Sequence, residues 1–93
     1  PLWATLAQNY PNPFNPSTTV SFSLQRQSAV NLAIYGPTGQ RVRTLSNAVF
    51  TAGTHNLTWD ARDQTGHAVG AGVYFLRLEA EGRIMTRKMN LVR

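Results

Sequence analysis

Gly72-Val73-Tyr74-Phe75-Leu76-Arg77-Leu78-Glu79-Ala80-Glu81-Gly82-Arg83-Ile84-Met85-Thr86-Arg87-Lys88-Met89-Asn90-Leu91-Val92-Arg93 ends the 93-residue sequence. Tyr74, Leu76, Leu78 and Ala80 alternate with Phe75, Arg77 and Glu79. A period of two sends alternate side chains to opposite faces of an extended chain. After Glu81-Gly82 the alternation resumes: Met85, Met89 and Leu91 form one file, interrupted by Arg87. Glu81-Gly82 fits a tight turn joining two antiparallel strands. Each strand then has one apolar face and one wet face.

The same period recurs upstream. Thr19 and Ser21 oppose Val20, Phe22 and Leu24. Val30, Leu32 and Ile34 alternate with Asn31, Ala33 and Tyr35, and Leu57 and Trp59 with Asn56 and Thr58. Turn chemistry separates these runs. Gly36-Pro37-Thr38-Gly39 carries proline second and glycine fourth, and Asp63-Gln64-Thr65-Gly66 carries aspartate first and glycine fourth. Both patterns suit type I turns. Ala52-Gly53 and Gly70-Ala71-Gly72 stand just before or at the start of strand-like runs. No ten-residue stretch shows a capped helical stripe. The reading is an all-β, antiparallel sandwich of about seven strands over residues 3–8, 18–24, 29–35, 41–45, 53–60, 72–80 and 84–92.

Ahead of the second run lies Gln8-Asn9-Tyr10-Pro11-Asn12-Pro13-Phe14-Asn15-Pro16. Each proline fixes its own φ and biases the preceding residue to extended conformations. A central strand cannot hold these prolines. Residues 1–17 therefore read as a linker and extended lead-in with a first strand inside it, pegged to a sheet by Tyr10 and Phe14. Residues 18–93 read as the sandwich proper.

One small domain of this length buries roughly 60–65% of its unfolded area, enough for one modest core. There is no cysteine, which excludes a disulfide framework and a thiolate metal site. No apolar run reaches the length of a transmembrane helix. The sequence starts at Pro1 and shows no signal peptide, so it reads as a piece of a longer protein. Nine basic residues face four acidic ones, for a net charge of +5. Arg83, Arg87, Lys88 and Arg93 crowd the last run, which has no carboxylate. Basic charge of this kind favours anionic partners.

Catalytic chemistry finds no constellation. His55 and His67 have no ligand cluster around them in sequence and read as structural or solvated. Asp60 and Asp63 stand three residues apart where a strand meets a turn, a place where aspartate commonly bonds backbone amides. Calcium would find hard ligands there, but the ladder of alternating acidic ligands is missing. No nucleophile elbow or phosphate loop occurs. Trp59 reads as core, while Trp3 and Tyr35 suit either core or a sugar-stacking face. The aromatics do not interleave with basic residues as a single-strand nucleic-acid surface requires, so no nucleic-acid partner is expected. The basic last run is either a solvated edge strand protected against aggregation or a recognition strand.

The order of several pieces resembles a known family. These are Leu6-Ala7-Gln8-Asn9-Tyr10-Pro11-Asn12-Pro13-Phe14-Asn15-Pro16, Val30-Asn31-Leu32-Ala33-Ile34-Tyr35 with Gly39, Gly53-Thr54-His55 with Trp59-Asp60, Gly72-Val73-Tyr74, and Arg87-Lys88-Met89. Together they resemble the type A C-terminal sorting domain of type IX secretion cargo, the Por secretion tail. The flagellar hook-capping Ig-like domain is similar in the second half. The family usually has aspartate where this chain has Gly36, and glycine where it has Ala61; both are turn positions. The resemblance implies an Ig-like β-sandwich without catalytic activity, cofactor or metal, carried by a larger exported protein of a Gram-negative bacterium. It implies passage through the periplasm to the cell surface or medium. The implied partners are the outer-membrane translocon, a sortase-like peptidase, the upstream cargo domain and an anionic surface polysaccharide. Gly72, Tyr74, Arg87, Lys88 and Arg93 are the implied signal residues, and the proline stretch is the stiff join that leaves the upstream link open to a peptidase. The competing expectation is a carbohydrate-binding or adhesive accessory module of a secreted polysaccharide-degrading enzyme.

Overall fold

The computed structural model describes residues 3–93; Pro1 and Leu2, the first residues of the expected lead-in, lie outside the described residues. Seven strands follow in order: β1 (Ala4–Leu6), β2 (Thr18–Leu24), β3 (Ser28–Tyr35), β4 (Arg41–Phe50), β5 (Gly53–Trp59), β6 (Gly72–Ala80) and β7 (Arg83–Leu91). They form two antiparallel sheets, ordered β1-β2-β5 and β4-β3-β6-β7. The expected all-β, Ig-like antiparallel β-sandwich is what the chain adopts.

The alternation seen in the sequence sets the core. Val20 and Phe22 from one sheet face Val30, Leu32, Ile34, Leu76, Leu78 and Met89 from the other, all essentially without solvent contact. Trp59 is fully buried and meets Phe14 and Tyr74, with ring centroids 5.7 and 5.3 Å away. Burying each large apolar side chain contributes roughly 1.5–3 kcal/mol.

The turns follow their residues. Gly39 N donates to Gly36 O and Gly66 N donates to Asp63 O, each at 3.0 Å. Ala80 pairs with Arg83, so Glu81 and Gly82 alone make the β6–β7 turn. Both have positive φ, 55° and 72°, as a type I′ turn demands. The Glu81 carboxylate pairs with Arg26 and accepts from Ser28, tying this turn to the β2–β3 connection.

Two readings change. β4 runs to Phe50 rather than stopping at 45. Its register against β3 slips between Leu32 and Ala33 and again between Ile34 and Tyr35. Such irregularities reset the period of two: Val42, Leu45 and Phe50 all pack on the core without even spacing. The proline stretch also differs from a lead-in. Because β1 pairs with β2, residues 7–17 connect two strands of the sandwich. Phe14 is buried as expected, but Tyr10 is 81% exposed and its side chain pegs nothing. Its backbone does that work, exchanging two hydrogen bonds with Thr19 (3.0 and 2.9 Å).

Candidate functional site

β7 is an edge strand of the four-stranded sheet. In an antiparallel ladder alternate residues turn their N–H and C=O groups away from the paired neighbour. On β7 and just beyond it these are Ile84, Thr86, Lys88, Asn90 and Val92, and the β1–β2 connection reaches the last three. Gln8 Nε2 donates to Lys88 O at 2.7 Å, and Asn90 N donates to Asn12 Oδ1 at 2.9 Å. Phe14 N donates to Asn90 O at 3.0 Å, while Val92 N donates to Phe14 O at 2.9 Å. Phe14 thus lies parallel to Leu91 as a one-residue extension of the sheet. The connection is itself braced. Asn9, almost wholly buried, donates through Nδ2 to Pro11 O (3.1 Å) and Thr18 Oγ1 (3.0 Å), and that hydroxyl donates to Pro11 O (2.8 Å).

The five implied signal residues all fall on the segment from Gly72 to Arg93, with different surroundings. Gly72 opens β6 opposite Leu91 at φ 149°, a conformation that side-chain-bearing residues rarely adopt. Tyr74 is buried; its hydroxyl donates to Gly70 O at 2.6 Å, and burial pushes its pKa up. Arg87 Nε donates to Leu6 O at 2.8 Å, bridging the two sheets at their open side. Lys88 is exposed and pairs with Phe75 in the ladder. Arg93 Nη2 and Nε donate to Val69 O at 2.7 and 3.2 Å. Arg87, Lys88 and Arg93 present charge to solvent; Tyr74 belongs to the interior.

The remaining candidates are also placed. His55 packs between Phe22 and Phe50, at 5.5 and 5.0 Å, and His67 sits in the 63–67 turn. Asp60 Oδ1 pairs with Arg43 Nη1 at 3.1 Å. Asp63 accepts from the Thr65 hydroxyl and from the backbone amides of His67 and Thr65, which together hold its carboxyl below the ordinary value. Among the described residues no three metal-ligating side chains gather. Trp3 and Tyr35 each carry an arginine over the ring, Arg83 at 5.8 Å and Arg77 at 5.3 Å. Ala61 stands at φ 59° and is fully buried, at the position where the resembled family has glycine. At Gly36 the Gln40 side chain fills the space a Cβ would need. Sequence reading passed over Gln8, Asn9 and Asn12. Their signal was available: short amide side chains in a proline-broken stretch that has few ladder bonds of its own.

The sequence profile of the FlgD Ig-like domain matches residues 10–83. The chain belongs to the FlgD Ig-like domain family. No curated protein matches it significantly. This Ig-like domain is similar to part of dimeric latent PorU from Porphyromonas gingivalis, with 25% identity over 96% of the chain and a TM-score of 0.79. It shares its fold with part of PorZ, an essential bacterial surface component of the type-IX secretion system of P. gingivalis (23% identity, 95% of the chain, TM-score 0.62). FlgD from P. aeruginosa shows the same fold at 17% identity over 96% of the chain, with a TM-score of 0.65. The chain spans 9% of the PorU chain, 11% of the PorZ chain and 65% of the FlgD chain.

Proposed function

We propose that this domain is a non-catalytic sorting and anchoring module that directs a larger secreted protein through the type IX outer-membrane translocon to the cell surface. The observation that carries this reading is the likeness to PorU: nearly the whole domain aligns, yet it amounts to a small fraction of that chain. A unit that recurs as a small part of larger proteins suits an appended address. The PorZ fold match, to a type-IX secretion component, agrees with it. The free charges of β7 supply a recognition surface, and export would run through the periplasm of a Gram-negative cell. The translocon and a sortase-like peptidase are the partners this reading requires, with the upstream cargo as the passenger.

The test fuses the domain to the C-terminus of an inert reporter with a signal peptide, in a host with type IX secretion. We expect reporter at the surface or in the medium, and a loss of about the domain's mass, 10.3 kDa, if the address is removed. Reporter held in the periplasm with the domain intact would overturn the proposal.

A further inference from the structure

The β1–β2 connection holds Tyr10 in an unusual way. Its backbone is fixed on both sides by Thr19, and Asn9 before it is buried and hydrogen-bonded. Yet its side chain is the most exposed large hydrophobic group among the described residues. A tyrosine on a fixed backbone has only two side-chain torsions to order when it is covered, which is what an interface anchor needs. The residues on either side of Tyr10 are tied to β7: Gln8 reaches Lys88 O and Asn12 reaches Asn90 N.

Charge selects the occupant. Arg26, Arg43, Arg62 and Arg77 each pair with a carboxylate. Among the described residues no carboxylate pairs with Arg83, Arg87, Lys88 or Arg93, and residues 83–93 include none. From β7, Arg87 projects towards β1 and Lys88 to the opposite face, so the two cations flank the edge to which the residues on either side of Tyr10 are tied. We propose that Tyr10, Arg87 and Lys88 form one composite docking surface for an acidic protein partner. The proline-rich connection is then half of the address, and the Gln8, Asn12 and Phe14 contacts are what position it. This proposal rests on the sorting reading and names the surface through which it acts.

The test uses the reporter fusion carrying the full chain with Tyr10→Ala, Lys88→Gln, Lys88→Glu and the control Arg41→Glu. Arg41 is exposed and lies on β4, the opposite edge of the same sheet. Tyr10→Ala should leave the melting temperature of the purified chain unchanged and cut export about fivefold or more, as loss of an interface anchor does. Lys88→Glu should cut export more than Lys88→Gln, because repulsion adds to lost attraction, and Arg41→Glu should export normally. Wild-type fusion retained in the periplasm would overturn the sorting reading and this proposal together. Normal export of Tyr10→Ala beside an exported wild type would overturn this proposal alone, as would equal losses for Lys88→Glu and Arg41→Glu. Retention of the purified chain by polygalacturonate that Lys88→Gln and Tyr10→Ala abolish, without an export defect, would assign the surface to a glycan and overturn the protein partner.

Discussion

Ala61 is a left-handed, fully buried alanine in a turn whose backbone is pinned, with Val69 N donating to Ala61 O at 2.9 Å. A Cβ in that conformation costs roughly 1–2 kcal/mol. Glycine would relieve the strain, but it adds unfolded-state entropy and removes a buried methyl. These effects nearly cancel, so Ala61→Gly should change stability by less than about 1 kcal/mol. Ala80→Gly, also at a buried alanine but within β6, has no strain to relieve and should cost about 1–2 kcal/mol more than Ala61→Gly. Urea denaturation of the two variants checks the difference, and equal losses would mean that Ala61 stores no strain. Single residues also mark the limit of sequence reading. Tyr10 and Phe14 looked equivalent because the intervening prolines abolish the period of two that tells inside from outside. Phe14 went in and Tyr10 out for a reason only the fold supplies, namely that Phe14 alone reaches Trp59.

At the scale of elements, β7 shows how the end of an edge strand can be closed without a full neighbouring strand. Two side chains and one residue of backbone bond Lys88 O, both backbone groups of Asn90 and Val92 N. Removing one such partner leaves the Asn90 amide open to water, at a net cost of about 0.5–1.5 kcal/mol. Asn12→Ala should therefore speed hydrogen exchange at Asn90 by about two- to tenfold, since 1.4 kcal/mol is a factor of ten. The Leu91 amide, on the β6 side of the strand, should keep its protection. Equal acceleration at both would show global loosening rather than an opened edge. Strands were legible where alternation ran unbroken, as in β2, β3 and β6, and in β7 despite the break at Arg87. The second half of β4 was not, because Asn47, Ala48 and Val49 are all exposed and offer no apolar file, although they pair with β3 in regular register; the register slips, opposite Leu32/Ala33 and Ile34/Tyr35, lie in its first half and bring Val42 and Leu45 inward at a spacing no period of two produces. The clasp on β7 was equally hidden, since it joins residues some eighty positions apart, as in the Gln8–Lys88 and Asn12–Asn90 bonds.

For the whole molecule, the basic end of the chain combines two roles that a deletion would confuse. The charge cluster was visible in the sequence, but its freedom from carboxylates depends on where the acids fold: Asp60 and Glu79 are taken by Arg43 and Arg77, and Glu81 by Arg26. The same segment also holds the core together. Leu91 and Met89 are buried, and Val92 N bonds Phe14 O. Deleting residues 91–93 removes a buried leucine, which alone costs about 2–5 kcal/mol. In a domain of this size each 1 kcal/mol shifts the melting temperature by roughly 4–8 °C, so the deletion should lower it by about 10 °C or more. Deleting Arg93 alone removes exposed bonds to Val69 O and should lower it by less than about 5 °C. If the terminal strand acts as an address, Lys88→Glu should block export while the purified chain melts within about 3 °C of the parent, since exposed charges contribute little to stability. Thermal unfolding and reporter localisation measured on the same three variants separate the roles. Export that falls only in step with melting temperature would make the basic strand a structural element and nothing more.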